Sequence, residues 1–351
     1  MKISILKFSA LALTLALVFT GCSAEDTAGS SSETASSMIM SAENDTAYPV
    51  TLTDQLGRLV TLEKEPETIV SGYYISTSLL IALNRQDRLS GVEAKAGSRS
   101  LYQLSAPDII SLPSVGTAKE FDLEGCAALA PDLVILPAKL KDMIPPLEEL
   151  GLTVLAVKPE NQELLEETIL LLGTAANSLD AANSLLTYMQ GQLARMKENV
   201  AGTEAPLVYL ASNSSLLSTA GPGMYQNSLI ENAAGRNAAS ELTDSYWAEI
   251  SYEQLLAWDP EYIILAADAS YTVDSVVSDP NLSECAAVKN GQVYQLPGSV
   301  EAWDSPVPGS FLGSLWLASI LHPEQYPAAS WETAVTEYYE TFYRFSPDMR
   351  E

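Results

Sequence analysis

Histidine is nearly absent: His322 is the only one in 351 residues. One imidazole cannot supply the several nitrogen ligands of a zinc or manganese capture site. The chain also lacks a GxSxG elbow and an HExxH pair, so the common hydrolase machineries are missing. In Leu321-His322-Pro323 the histidine reads as a helix-end residue. Cysteine is scarce as well. Cys22, Cys126 and Cys285 form no CxxC or Cys/His cluster, which leaves a structural zinc site without support. Basic residues number 18 against 45 acidic ones, a formal charge of −27. Such a surface repels phosphate backbones, so nucleic acid is not an expected partner, and the excess charge itself serves solubility. Only one long hydrophobic run exists, residues 8–19, and it is too short to span a bilayer.

That run has the length of a secretory hydrophobic region, preceded by Lys2 and Lys7. Residues 1–21 are therefore expected to be a signal peptide. Thr20-Gly21-Cys22 resembles a bacterial lipobox, with Phe19 where leucine is usual. Cleavage before Cys22 would free its thiol for lipidation and tether the protein to the cell membrane from outside. Residues 22–47, rich in Ser, Thr, Ala and Glu, then form a lipidated disordered tether. Cys126 and Cys285 are expected to be free, buried thiols.

The folded part is organised around residues 121–138 (FDLEGCAALAPDLVILPA), which read as a short helix, a proline break and a buried strand. Residues 250–267 (ISYEQLLAWDPEYIILAA) repeat the unit, with Glu124 matched to Glu253, Pro131 to Pro260 and Asp132 to Glu261. Two distant copies predict two lobes of similar build rather than a solenoid. Each copy carries a carboxylate in its first helical turn.

Strands alternate with helices through the chain, which indicates parallel α/β sheets covered on both faces. Residues 50–62 read as a hairpin, 68–71, 89–92 and 153–157 as strands, and 111–116 as leading into one more. Residues 161–200 contain no proline, and Gly173 with Asn177-Ser178 divides them into two helices. The second, Leu179–Asn199, spaces Leu185, Leu186, Met189, Leu193 and Met196 helically; at about 30 Å it is long enough to cross between lobes. Residues 48–178, 179–200 and 201–351 are thus expected as N-terminal lobe, interlobe helix and C-terminal lobe. In the second lobe, Gly235 is placed at a left-handed helix cap. Residues 309–321 and 331–345 are placed in amphipathic closing helices. Ligands of such sheets sit at the carboxyl ends of strands.

The order of short motifs resembles the cobalamin and iron-siderophore substrate-binding lipoproteins of ABC importers. The stretches are DQLGR at 54–58, IVS at 69–71, LSGV at 89–92, PSVG at 113–116, DLE at 122–124 through PDLVI at 131–135, Glu253 through Asp259-Pro260, AVKNGQVY at 287–294 and WLA at 316–318. The resemblance covers nearly the whole chain after the tether. It implies an α/β fold of two Rossmann-like lobes bridged by a single long helix, the helical-backbone periplasmic-binding-protein type, with the ligand held between the lobes. It also implies that Glu124 and Glu253 dock into arginine-containing pockets of the membrane permease. The expected protein is a monomer, carries no cofactor or resident metal, and is not an enzyme.

Large planar or chelated ligands need aromatic walls and a few charges. The predicted cleft loops carry Tyr73, Tyr74, Tyr102, Tyr246, Trp247, Tyr271 and Trp303. Lys95, Arg99, Lys119 and Lys139 are the candidates for an anionic ferric complex. A haem would want an axial tyrosine; a corrinoid would want aromatic packing and hydrogen bonds. The segment Glu301-Ala302-Trp303-Asp304-Ser305-Pro306 is the most unusual loop, and Trp303 is expected to face the ligand. The alternatives are a molybdate-like oxyanion binder on the same fold and, further off, a surface hydrolase.

Overall fold

The computed structural model describes residues 46–242 and 247–348. A small antiparallel hairpin, β1 (Val50–Thr53) and β2 (Leu59–Leu62), leads into the first lobe. There β3 (Ile69–Ser71), α1 (Tyr74–Ala82), β4 (Leu89–Gly91), α2 (Ser100–Ser105), α3 (Leu123–Ala128), β5 (Leu133–Pro137), α4 (Ile144–Glu149) and β6 (Val154–Val157) alternate. The four strands are parallel in the order β4-β3-β5-β6. Every residue of β5 and β6 is buried, as expected of strands covered on both faces. Two helices follow, α5 (Gln162–Ala175) and α6 (Leu179–Asn199).

The second lobe runs β7 (Leu207–Ala211), β8 (Ser218–Ala220), α7 (Tyr225–Asn232), β9 (Arg236–Asn237), β10 (Trp247–Glu249), α8 (Tyr252–Trp258), β11 (Tyr262–Leu265), α9 (Val273–Val277), α10 (Ala286–Lys289), β12 (Val293–Gln295), α11 (Ser310–Leu321) and α12 (Ala328–Tyr338). Its sheet is ordered β10-β8-β7-β11-β12, with β9 beside the start of β7. Here β7, β11 and β12 are parallel, and β8 and β10 form an antiparallel edge.

The internal repeat is a structural one. Asp122 caps α3 by accepting a hydrogen bond from the Gly125 amide at 2.8 Å; Ser251 caps α8 from the Gln254 amide at 3.2 Å. Glu124 and Glu253 both stand exposed in the first turn that follows. The equivalent fourth residues of the two helices, Cys126 and Leu255, are fully buried. Both units leave the helix through a left-handed residue, Ala130 at φ 45° and Asp259 at φ 47°. Asp132 then accepts from the Thr68 amide at 3.0 Å, and Glu261 from the Leu207 amide at 2.8 Å. Each acid thereby ties its strand to the start of the neighbouring parallel strand.

The chain divides between α5 and α6 at Asn177, whose φ is 52°. Gly173 is not part of that break. It lies inside α5, where a Cβ would stand 2.5 Å from the Ala182 side chain of α6. The two helices pack closely there. On its other side α6 meets the second lobe: the Tyr188 hydroxyl donates to the Ala334 carbonyl at 3.0 Å, and the Tyr188 ring lies against Phe311. One continuous apolar core runs from Leu79 through Leu185, Met189 and Leu193 to Phe311 and Tyr343. Tyr343 closes the path by donating to the Ser78 carbonyl of α1 at 3.1 Å.

Three local expectations are corrected. Residues 111–116 make only isolated bridges, Val92 with Ser114 and Gly116 with Phe121. Gly116 turns the chain there at φ 84°, where a Cβ would stand 2.1 Å from the Glu120 carbonyl oxygen. After α7 the left-handed residue is Ala234 at φ 58°, one before Gly235; the glycine is needed for space, with three apolar side chains about its Cβ position. Helix α11 is not amphipathic, since all but one of its residues are buried between α6, α7 and α12. Cys126 and Cys285 are buried free thiols. His322 caps the end of α11.

Candidate functional site

A cavity of about 650 Å³ opens between the lobes, at the carboxyl ends of their strands. The first lobe contributes Tyr74 and Ser78 of α1, residues 95–102, and Glu160 after β6. The second contributes Asn213 after β7, residues 224–226 at the start of α7, Trp247, Asp268 after β11, and much of the 298–307 loop after β12.

The first-lobe wall is built on one buried carboxylate. Glu93 accepts hydrogen bonds from Thr77 Oγ1 at 2.8 Å, Tyr102 Oη at 2.9 Å and Arg99 Nε at 2.9 Å. The Arg99 guanidinium also lies over the Tyr74 ring, 4.3 Å from its centroid, and 5.9 Å from that of Tyr102. Stacking and the Nε bond fix the plane of the fork, leaving the two terminal nitrogens of a cavity-wall residue for another acceptor. Burial pushes the Tyr74 and Tyr102 hydroxyls above their ordinary pKa, so both stay protonated donors. Lys95 is exposed on the same rim.

The opposite wall is acidic. Burial pushes the Glu301 carboxyl up to about 7. Burial, then the negative charge of Asp268, pushes Asp304 up to about 6. Asp304 is 5% exposed. Its neighbour Trp303 points the other way. The indole is buried, donates to Tyr339 Oη at 3.0 Å, and meets Trp331 edge to face at 6.2 Å. Trp303 therefore does not line the cleft; it anchors the loop from behind and turns Asp304 inward.

Of the other residues singled out in the sequence, Tyr74, Lys95, Arg99, Tyr102 and Trp247 stand at the cavity wall. Tyr73, Lys119, Lys139 and Tyr271 do not. Tyr73 precedes α1 and packs on the core edge to face with Tyr74 at 5.2 Å. Lys119 sits on the tip of the 117–120 turn, and Lys139 on the exposed face of the helical turn after β5. Tyr271 packs on the second lobe's own core, its hydroxyl donating to the Ser212 carbonyl at 2.6 Å. Tyr246 and Cys22 lie outside the described residues. Sequence reasoning missed Gln226, Asp268, Glu301 and Asp304. The one available signal was the proline-stiffened 301–308 segment, which marked the loop but not which side chain turns inward. Among the described residues no cluster of histidine, cysteine and acidic side chains could hold a metal ion, and no helix is long and apolar enough to cross a membrane.

Residues 69–300 match the family of periplasmic binding proteins. The molybdate-binding protein MolA of Haemophilus influenzae is 23% identical over 326 residues, covering 85% of this chain and 92% of its own. Its molybdate-bound structure, described as the cognate binding protein of an ABC transporter, superposes with a TM-score of 0.74 at 22% identity, over 85% of this chain and 99% of that one. A cobalamin-binding protein of Halobacterium salinarum is 24% identical over 253 residues, 71% of this chain and 66% of its own. A periplasmic solute-binding protein from Veillonella parvula superposes with a TM-score of 0.73 at 26% identity, over 86% of this chain and 94% of that one. The chain belongs to the periplasmic binding protein family, the solute-binding components of ABC transporters.

Proposed function

We propose that this protein is the extracytoplasmic receptor of an ABC importer, that it binds a metal complex or corrinoid in the interlobe cavity, and that it is not an enzyme. The observation that carries the ligand class is the Arg99 fork, stacked on Tyr74 and held by Glu93, at the wall of a cavity of about 650 Å³. That volume falls within the roughly 300–1,000 Å³ of small-molecule sites. The fork supplies charge-assisted donors for a carboxylate, phosphate or catecholate oxygen, and the tyrosines and Trp247 supply aromatic surface. A bare oxyanion of the molybdate type is the second reading; the same fork and the likeness to the Haemophilus protein favour it. The test is a fluorescence titration of the protein lacking residues 1–22 against cobalamin, haem, ferric tricatecholate, ferric trihydroxamate and molybdate. Saturable one-to-one binding of a chelate or corrinoid supports the reading. Tight binding of molybdate alone replaces it, and turnover of any substrate would replace both.

We further propose that Glu124 and Glu253 form a two-point, charge-complementary footprint for the permease. Both are exposed at equivalent places on the two lobes, and the Ser251 hydroxyl beside Glu253 holds its carboxyl below the usual range. The double variant E124Q/E253Q is expected to bind the reconstituted permease at least about tenfold more weakly, with solute affinity unchanged. Equal permease binding would leave both residues as helix-start acids favoured by the helix dipole. Cys22 is proposed as a lipid anchor. Cys22→Ser should move the protein from the membrane fraction to the soluble one and abolish labelling by radioactive palmitate; retention on the membrane would exclude the anchor.

A further inference from the structure

Three acceptor atoms on the second-lobe side of the cavity have no hydrogen-bond partner among the described residues: Asp304 Oδ1, Glu301 Oε2 and Gln226 Oε1. All three are shielded from solvent, and Asp304 and Gln226 are only 5% and 6% exposed as whole residues. The Gln226 amide cannot flip to help, because its Nε2 donates to the Asp304 carbonyl at 2.7 Å. That bond fixes Oε1 as an acceptor. The Tyr339 hydroxyl donates to Glu301 Oε1 and leaves Oε2 open. Each buried acceptor left unmade costs stability. Three such atoms beside one wall of a cavity would be relieved by a donor that enters it, directly or through a bridging water.

The opposite wall has the reverse character. Arg99 and Lys95 offer donors and positive charge there. On the second-lobe side the exposed Asp268 adds negative charge beside the buried acids Asp304 and Glu301, so a wholly anionic solute meets repulsion along that side.

We propose that the 301–304 wall with Gln226 is a donor-accepting subsite, and that the solute of this cleft is bipolar. An anionic group lies against Arg99 and Lys95; amide N–H groups or an ammonium lie against Asp304, Gln226 and Glu301. This rests on the cleft reading above and narrows it. A corrinoid with peripheral amides, or a chelate bearing an ammonium, fits both walls. Molybdate and a ferric tricatecholate, which present negative oxygen, fit one.

The decisive variant is Asp304→Leu, of similar volume and without the buried acceptor. Its free form should unfold within a few degrees of the wild type, because loss of the backbone bonds from the Asp304 and Ala267 amides is offset by removal of a buried carboxyl with one open oxygen. Its affinity for cobalamin or ferrioxamine B should fall at least about tenfold. A side chain of merely structural importance would move stability and affinity down together. A matched pair sharpens the test: ferrioxamine B, whose chain ends in an ammonium, and its N-acetylated form. The wild type should prefer the ammonium by about tenfold or more, and Asp304→Leu should compress that preference to below about threefold. If Asp304→Leu binds its best solute as the wild type does, or if molybdate or ferric tricatecholate binds most tightly, the subsite is overturned. Should that binding still depend on Arg99, the cleft reading survives. If no member of the panel binds the folded protein, the cleft reading falls and the subsite falls with it.

Discussion

Replacing Arg99 by alanine is expected to weaken solute binding by roughly 10- to 150-fold, the loss of charge-assisted hydrogen bonds worth about 1.5–3 kcal/mol. The fold should survive. Glu93 keeps donors in Thr77 and Tyr102, so its buried carboxylate is not stripped of partners. The cavity, however, loses its fixed cation. Without the guanidinium, the exposed Lys95 is the cation left on the cavity lining to face the acids opposite. Arg99→Lys should fall between the wild type and the alanine variant. One ammonium keeps the charge but cannot bond Glu93 and a solute in the fixed plane of a fork stacked on Tyr74. Calorimetric or fluorescence titration with the tightest-binding solute reads the effect. A loss below about threefold for Arg99→Ala would remove the fork from solute recognition and leave it as a brace for Glu93 and the two tyrosines.

Much of the architecture was legible because it follows from period and punctuation. The matched helix–strand units announced two lobes. Their caps, their left-handed exits at Ala130 and Asp259 and the acids at 132 and 261 then fell on equivalent places. The bridging helix was readable from the spacing of its apolar residues. Side-chain direction in loops was not readable. Between β12 and α11 no strand parity or helical period tells Trp303 from Asp304; the choice was made by Tyr339 and Trp331, which offer the indole a hydrogen-bond partner and a ring. A large aromatic in a cleft loop drew the expectation of ligand contact, whereas its buried area was better used as the loop's post. The acids were overlooked for a different reason. In a chain with 45 of them, any one reads as solubility, and only burial distinguishes Asp304 from an exposed carboxylate such as Asp268. Lys119 and Lys139 failed in the converse way: loops at the right end of a sheet can still present their charged tips to solvent.

Asp54→Ala is expected to cost about 3 kcal/mol of stability, which lowers the midpoint of thermal unfolding by roughly 5 °C in a chain of this size. The residue belongs to the Asp-Gln-Leu-Gly-Arg turn that joins β1 to β2, where a sequence reading sees only a hairpin. Its side chain is fully buried. One carboxylate oxygen accepts from the Leu56 amide at 3.0 Å and the Arg58 amide at 2.9 Å, shaping the turn. The other accepts from Arg58 Nε at 2.9 Å and from the Ala156 amide of β6 at 3.2 Å. Gln55 adds a rung by donating its own amide to the Ala156 carbonyl at 3.1 Å. The hairpin is thus fastened to the outer strand of the first sheet by a buried anion, and alanine would leave a buried amide and half an ion pair unsatisfied. Asp54→Asn keeps an acceptor and should cost roughly half as much. Arg58→Ala should cost only about 1 kcal/mol, because its side chain is 28% exposed and water can replace it. The order Asp54→Ala, Asp54→Asn, Arg58→Ala is the test. Were Arg58→Ala the most damaging, the ion pair and not the buried acceptor would hold the hairpin. None of the three should change solute affinity, since neither residue reaches the cavity.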